Sequence, residues 1–349
     1  MKSRKLLALV AIMAIMACKK DPKPGSNPIS QNPGIFVLNE GPFSAGNGSL
    51  SYIDLSNLTV SHNIFAQANG FPAGAVLNSI LRYDGKLYLV SNLSARVEVA
   101  DEKTLESVGF ADGFQSPRYI AHWGNSRLAV SDWNSNTVRI IDANSLQTIK
   151  TLSTGNGPER LYTSFLYAVV LNSGGFGSDS TLSLFDINTL ESVGTRQVAP
   201  VPNSMVLAGG RYWLLCSGIP NWSDPTLSKP GALLELDATT LEVLKTHPIS
   251  LSIGHPGDLV FNKSLNKLMF LSNSYGGAIM QSSLGDAGNF EIFKAGTYYS
   301  LAYDEIRNHI LAGNALSFAE QGWVVRIPQN GTPLDSFQVG LIPTDFAIR

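Results

Sequence analysis

The sequence has few of the residues that most metal sites need. Among its 349 residues there are two cysteines and five histidines, and only 15% of the residues are charged. No two histidines have the spacing of a metal-binding pair, such as His-x-His or His-x-x-x-His. We therefore expect no bound metal.

Cysteine is too scarce for a disulfide framework. Beyond Cys18 the chain has only Cys216, and one leftover cysteine cannot form an internal disulfide. Cys216 ends the apolar run 212–216, which is typical of a strand. We interpret it as a small buried apolar residue rather than a reactive thiol.

Several motifs that would indicate chemistry are also missing from the sequence. It contains no Gly-x-Ser-x-Gly elbow, no phosphate-binding P-loop and no cysteine cluster. No basic run predicts nucleic-acid binding, and the formal net charge is −2. We expect no catalytic residues, no cofactor and no nucleic-acid partner.

Long apolar runs are confined to the N-terminus. Lys2, Arg4 and Lys5 precede the apolar residues 6–17, a run too short to span a bilayer comfortably. The sequence Ile-Met-Ala-Cys at 15–18 predicts a lipoprotein signal peptide over 1–17, cleaved before Cys18, which is then acylated. An ordinary signal peptide followed by a chance cysteine is the alternative.

The residues after Cys18 have the composition of a linker. Residues 18–33 contain Lys, Pro, Gly, Ser and Asn and almost nothing apolar, which predicts a flexible tether. The folded domain is expected at 34–349. Contact with the membrane is expected through the lipid anchor alone, in the outer membrane, on the cell surface or the periplasmic face.

A short pattern recurs through the domain at intervals of about 45 residues. An Asp is followed four residues later by Leu, at Asp54, Asp101, Asp142, Asp186 and Asp237. An Asp at a strand end can accept backbone N–H groups two or three residues on and so fix a tight turn. Because these residues share one repeat position, we interpret them as scaffold and not as a catalytic pair.

Each repeat holds short strands separated by turn residues, as in residues 85–110. Two further units, at 267–273 and 309–327, bring the number of repeats to seven. Another strand, usually introduced by Pro, precedes every unit except the first. One such strand, Pro343–Ile348, is left over at the C-terminus.

These counts predict an all-β fold, a seven-bladed β-propeller of four-stranded antiparallel blades. The C-terminal strand Pro343–Ile348 is expected to pair with residues 35–38 of the N-terminal blade and close the ring, which leaves no large open edge. The alternative is a linear solenoid, but it would need capping units at its ends, and none is visible.

At several places the sequence resembles a known family. The runs LYLVSN, LAVSDWNSNTVRIID and LYAVVLNSGGFGSDSTLSLFD resemble YVTN/YncE-like seven-bladed propellers. The opening IFVLNEG, followed by a Gly/Asn-rich loop and SLSYIDL, resembles the lipoprotein branch of that family, and the Cys-Lys-Lys-Asp start resembles Bacteroidetes-type surface lipoproteins. The resemblance covers residues 34–349. Some members of this branch bind cobalamin at the cell surface and work with a TonB-dependent outer-membrane transporter.

Function should lie in loops that differ between blades. In propellers the loop leading into the inner strand and the loop joining the second and third strands share one face. The first set supplies Asn78, Arg118, Arg160, Asn203, Asp258, Tyr298 and Asp345. The second set supplies Phe43, Trp133, Phe176, Trp222, Tyr275 and Phe318.

These candidates suit binding more than catalysis. Aromatic faces ringed by hydrogen-bonding groups fit a planar or sugar-like ligand, or a protein hot spot. Trp133 and Trp222 are expected to be exposed rings, and Arg118 and Arg160 to be donors for an anionic or carbonyl-rich ligand. The alternative for each ring is packing between neighbouring blades.

The sequence therefore favours a non-catalytic surface lipoprotein. Its expected role is to capture a small nutrient, such as a corrinoid, glycan or chelate, or to dock on a TonB-dependent transporter. A propeller enzyme of the lactonase or lyase kind, or a purely structural surface protein, remains the alternative.

Overall fold

The computed structural model describes residues 30–43 and 46–349, which form a ring of seven four-stranded antiparallel sheets. This confirms the predicted seven-bladed β-propeller. The signal peptide predicted for 1–17, the lipid attachment at Cys18 and most of the tether predicted for 18–33 lie outside the described residues.

The first four blades contain the first fifteen strands and one short helix. In chain order they are β1 (Gly34–Asn39), β2 (Ser49–Asp54), β3 (Thr59–Ser61), α1 (Ile64–Asn69), β4 (Leu77–Tyr83), β5 (Lys86–Ser91), β6 (Arg96–Asp101), β7 (Ser107–Ala111), β8 (Pro117–His122), β9 (Arg127–Asp132), β10 (Thr137–Asp142), β11 (Thr148–Ser153), β12 (Pro158–Thr163), β13 (Tyr167–Asn172), β14 (Thr181–Asp186) and β15 (Ser192–Gln197). Blade one uses β1–β3, and each later blade uses the next four strands.

The remaining blades follow the same plan. Their strands are β16 (Pro202–Ala208), β17 (Arg211–Cys216), β18 (Gly231–Leu236), β19 (Val243–Ile249), β20 (Gly257–Asn262), β21 (Lys267–Leu271), β22 (Gly277–Ser283), β23 (Glu291–Tyr298), β24 (Ser300–Asp304), β25 (His309–Asn314), β26 (Gln321–Ile327), β27 (Asp335–Leu341) and β28 (Pro343–Ile348). Two short 3-10 helices, Pro225–Leu227 and Leu284–Asp286, lie in loops.

The ring closes as the sequence predicts. Strand β28 pairs antiparallel with β1, with Phe36 opposite Ala347, and it becomes the inner strand of blade one. The backbone of Arg349 also pairs with Gly34, and its side chain bonds Glu102 of blade two at 2.8 Å. The last strand therefore joins the end of the domain to its start, and Arg349 links both to blade two.

The hydrophobic core is divided into layers between neighbouring blades. In β5, Leu87 and Leu89 pack towards blade one, whereas Tyr88 and Val90 pack towards blade three. Because both faces of such a strand are buried, its sequence is an unbroken apolar run.

The repeated aspartates make the turns that the sequence predicts. In blade two, Asp101 Oδ1 accepts the N–H groups of Lys103 and Thr104 at 2.9 and 2.8 Å, and Leu105 takes a left-handed φ of 61°. Asp304 accepts the N–H groups of Ile306 and Arg307 in blade seven in the same way. The sequence reading overlooked this copy because it lacks the Leu.

The two loop sets predicted to share a face do so. Backbone bonds join them, from Asn92 N to Val76 O at 2.9 Å and from Ser173 N to Gly157 O at 3.0 Å. We call this side of the ring the loop face and the other side the opposite face. No helix among the described residues is long and apolar enough to cross a bilayer.

Candidate functional site

Bulges in the inner strands shape the channel mouth on the loop face. In β4, β8, β12, β16 and β20 the pairing register shifts just after the first residue. A bulge interrupts the alternation of side chains along a strand. Consecutive residues such as Arg118 and Tyr119, or Glu159 and Arg160, can therefore both line the channel.

The mouth holds a cavity of about 190 Å³. Six of the predicted site residues line it, namely Asn78, Arg118, Arg160, Asn203, Asp258 and Tyr275. Glu40, Tyr119, Glu159 and Tyr299 line it too, and the sequence reading missed them. Tyr119 follows the predicted residue Arg118, and Glu159 precedes the predicted residue Arg160. A bulge expected at each strand that Pro introduces would have placed both consecutive residues at the channel.

Both arginines of the cavity are paired with carboxylates. Arg118 contacts Glu159 through two nitrogens, at 2.9 and 3.3 Å. Arg160 forms an ion pair with Asp258, two blades away around the ring. Each guanidinium charge is therefore balanced by a neighbouring acid, and donation by these arginines to an anionic or carbonyl-rich ligand stays a prediction.

Burial raises the pKa of three acids around the channel. It raises the pKa of Glu40, although the hydroxyl of Tyr299, 3.0 Å away, partly offsets this. Burial likewise raises the pKa of Asp258 against the attraction of Arg160, and it raises the pKa of Asp345 to about 6. For Arg118, burial would lower the pKa, but the charge of Glu159 outweighs it and the pKa is raised.

Several predicted site residues also tie neighbouring inner strands together. Asn203 Oδ1 accepts the N–H of Asp258 at 2.9 Å, and Asp258 Oδ2 accepts that of Leu301 at 3.0 Å. Asp345 accepts the N–H of Ile80 at 2.9 Å. These polar groups brace the ring around the channel, a role the sequence reading did not assign to them.

Aromatic rings lie around the mouth in pairs. Phe176 meets Trp133 at 5.5 Å between ring centres, and Trp222 meets Tyr275 at 6.3 Å. Phe318 packs edge-on against Tyr299 at 5.3 Å. Phe176 is 91% exposed and Trp222 is 75% exposed, so these two rings keep most of their surface for a partner.

Two aromatic predictions need correction. Trp133 is half-buried rather than exposed, because Arg118 covers its face at 4.0 Å and Phe176 meets its edge. Tyr298 is 6% exposed and lies in the core between blades six and seven. The side chain of the next residue, Tyr299, reaches the cavity instead, since neighbouring residues of an extended chain point to opposite sides.

The other predicted residues lie apart from the cavity. Phe43 is exposed on the loop between β1 and β2. Asp345 lies deeper in the channel and lines cavities on its other side.

A second groove lies beside the first cavity, between blades three and four. It measures about 350 Å³ and is lined by Trp133, Phe176, three asparagines and a run of glycines. The side-chain amides are Asn134, Asn136 and Asn156. Its floor depends on Gly157, where an added Cβ would come within 1.9 Å of the nitrogen of Gly175, so only glycine permits the two loops to touch.

Other chemistry-bearing residues are placed as scaffold. Among residues 30–43 and 46–349 no group of three or more His, Cys, Asp or Glu is arranged to hold a metal ion. Cys216 is fully buried, as predicted, and burial raises the pKa of its thiol.

Comparison with known proteins supports the fold. Residues 33–176 match the sequence model of a domain of unknown function (DUF5074), which spans blades one to three and the first half of blade four. No curated protein matches the sequence significantly.

Solved structures with the same architecture are numerous but distant in sequence. A quinonprotein alcohol dehydrogenase-like protein from Bacteroides thetaiotaomicron superposes with a TM-score of 0.68 at 15% identity, over 91% of this chain and 78% of that one. A candidate 6-phosphogluconolactonase from Bacteroides fragilis gives 0.66 at 10% identity, over 92% and 99%. Apo AztD from Citrobacter koseri gives 0.54 at 12% identity, over 89% and 83%. The chain is thus a seven-bladed β-propeller whose residues 33–176 are similar to DUF5074, and its structural neighbours have varied functions.

Proposed function

We propose that the protein is a non-catalytic binding lipoprotein that captures a small polar nutrient with its loop face. The observation that carries the proposal is the contrast at this face between charges that are already paired and rings that are not covered. Arg118 and Arg160 are held by Glu159 and Asp258, whereas Phe176 and Trp222 are largely exposed.

Among the candidate nutrients, a glycan fits this surface best. A sugar ring offers a face of C–H groups to an aromatic side chain and hydroxyls to amides, which can both donate and accept. The groove beside Phe176 supplies that combination through Asn134 and Asn156. An anionic chelate would have to displace a carboxylate from an arginine, and a corrinoid is too large for a cavity of about 190 Å³ and would have to lie across the rim.

The membrane anchor in this proposal rests on the sequence. Acylation at Cys18 would leave residues 18–33 as a tether for the propeller at the outer membrane. A TonB-dependent transporter is the partner that we propose for delivering the captured nutrient across that membrane.

The anchor has its own test. Replacing Cys18 by Ala should abolish acylation and release the protein from washed membranes. Retention of the Cys18→Ala variant in the membrane fraction after a carbonate wash would contradict the anchor without touching the binding proposal.

Binding is tested with a panel of oligosaccharides, cyanocobalamin and ferric citrate, each titrated against the purified protein. Phe176→Ala is the test variant. Phe165→Ala is the matched control, since Phe165 belongs to the same blade, is 68% exposed and lies on the opposite face, between β12 and β13.

We expect an oligosaccharide to bind, and Phe176→Ala to weaken it by roughly tenfold or more, as loss of a hot-spot ring does. Phe165→Ala should bind as the unaltered protein does. Equal binding by both variants, or binding of cyanocobalamin or ferric citrate alone, would contradict the glycan assignment.

A further inference from the structure

A second cavity, larger than the one at the loop face, lies at the other end of the channel. It measures about 640 Å³ and opens on the opposite face, between the inner strands of blades five, six and seven. Of the described residues, Arg160 alone lines both this cavity and the loop-face cavity. Apart from Arg160, the two cavities therefore have different linings.

The wall of this second cavity is apolar on one side. Met205, Leu207, Leu259, Phe261 and Leu301 contribute to it from three successive inner strands. Leu207 is 45% exposed, although it belongs to a strand of the ring and not to a loop. Apolar surface on several adjacent strands gives the cavity the character of a ligand pocket, within the usual range of roughly 300–1,000 Å³.

The inner end of the same cavity carries uncompensated negative charge. Arg160 and Asp345 both line it, but the charge of Arg160 is already paired with Asp258. Asp345 accepts the backbone N–H groups of Ile80 and Phe346, and within the described residues it forms no ion pair. The formal charge of these three side chains is −1, and the surrounding protein screens that charge less than water would.

The rim adds no net charge to this balance. Lys263 and Glu305 stand there and contact each other at 2.7 Å. An incoming ligand therefore meets a neutral rim, then an apolar wall, and finally a carboxylate.

We propose that this opposite mouth is a second binding site, for a small amphipathic organic cation whose apolar body packs on the strand wall and whose ammonium group reaches Asp345. The site does not depend on the glycan site, because the rings and amides of the loop face take no part in it.

The test uses three probes of one shape and different charge, 4-phenylbutylamine, 4-phenylbutan-1-ol and 4-phenylbutanoate. Each is titrated against the purified full chain, with line broadening of the probe's nuclear magnetic resonance signals as the readout. The amine should bind at least about tenfold more tightly than the alcohol, and the carboxylate should bind least, because of the charge at Asp345.

Variants locate the binding. Leu207→Lys places a cation in the wall and should weaken amine binding about tenfold or more, whereas Leu207→Gln, of similar length but uncharged, should weaken it less. Val206→Trp narrows the same cavity and should weaken the amine and the alcohol together. Trp222→Ala, on the loop face, should leave amine binding unchanged.

Three results would overturn the proposal. The first is the absence of amine binding up to about 10 mM, the weak limit of a specific small-molecule site. The second is equal binding of the amine and the alcohol. The third is amine binding that Trp222→Ala removes and Leu207→Lys leaves intact, which would place it at the loop face.

Discussion

Aspartates lie both at the outer turns and in the channel, and these two environments shift the pKa of the carboxyl in opposite directions. Asp142 accepts the backbone N–H of Ser145 and the hydroxyl of Ser126, and these bonds lower its pKa to about 2. Asp345 is enclosed by the inner strands, and burial raises its pKa to about 6. Asp142 belongs to a repeated turn between outer strands, whereas Asp345, like Asp258, accepts a backbone N–H of the neighbouring inner strand. The turn aspartates build the scaffold, and the inner-strand aspartates lie at the channel.

The largest loss of stability is predicted for deletion of the strand that closes the ring and carries a channel residue. Deletion of residues 341–349 removes β28, uncovers the edge of β1 and takes Asp345 and Arg349 with it. We expect loss of the cooperative unfolding transition, because an unpaired edge and an opened core layer remain.

The single substitution Arg349→Ala serves as the control for that deletion. Glu102 keeps its contact with Arg82 at 2.8 Å, so this variant should still unfold cooperatively at a lower melting temperature. Calorimetry measures both. A deletion variant that melts like the unaltered protein would contradict closure of the ring by β28.

The second largest loss of stability is expected when the ion pair between Arg160 and Asp258 is broken. Arg160→Met leaves Asp258 enclosed without its cation, which should cost about 3–5 kcal/mol of unfolding free energy. The exposed pair between Lys150 and Glu191 is the control on the outside, where Lys150→Met should cost about 1 kcal/mol or less.

A double-variant cycle in denaturant checks this assignment. Arg160→Met combined with Asp258→Asn should cost much less than the two single losses added together, because the pair acts as a unit. Additive losses would mean that Arg160 stabilises the channel through other contacts, such as the ring of Tyr119 at 4.8 Å.

The two tryptophans of the loop face should differ in stability effect. Trp133→Ala removes a half-buried ring that Arg118 and Phe176 cover, and we expect a loss of roughly 2 kcal/mol, below the 3–5 of a fully buried ring. Trp222→Ala should stay within about 0.5 kcal/mol, as exposed substitutions usually do. Equal losses in chemical denaturation would contradict the distinction between a packed ring and a free one.

The two kinds of aspartate should give opposite slopes of stability with pH. The folded state takes up a proton on Asp345 near pH 6, whereas the unfolded chain does so near 3.8. Between these two pH values, proton uptake by Asp345 increases the unfolding free energy of the protein as the pH falls. Asp142 has the lowered pKa, so the stability that it contributes is present above pH 3.8 and is lost as the pH falls towards 2.

Asn substitutions isolate the contribution of each carboxyl to the unfolding free energy. The unfolding free energy of the unaltered protein minus that of Asp345→Asn should increase from pH 6 to pH 4. The same difference for Asp142→Asn should decrease below pH 4. A flat profile for Asp345→Asn would mean that the channel does not raise the pKa of this carboxyl.

The sequence predicts the scaffold well because the scaffold repeats. Turn aspartates, apolar second strands and the spare strand Pro343–Ile348 each obey local rules of hydrogen bonding and burial, and the ring follows from counting them. The site is predicted only in outline. Which loop residues share a face follows from blade topology, and six of the predicted residues do meet in one cavity.

The details of the site depend on contacts between blades that no local pattern encodes. Arg160 meets Asp258 across almost a hundred residues of chain, so its neutralisation is invisible in the sequence. Tyr299 lines the cavity instead of Tyr298, and this depends on where strand β23 ends. The cavity on the opposite face arises from apolar residues on three inner strands, each of which reads in the sequence as an ordinary core position.

The most direct test of the central claim, that the loop face binds the ligand, compares two double variants in one titration. Phe176→Ala/Trp222→Ala removes the two most exposed rings named above, and Phe165→Ala/Ile306→Ala removes two exposed apolar side chains from the opposite face. With the tightest oligosaccharide of the panel, we expect the first variant to lose about thirtyfold or more in affinity with no change in melting temperature, and the second to bind normally. A large drop in the melting temperature of the first variant, or undiminished binding by it, would contradict the account.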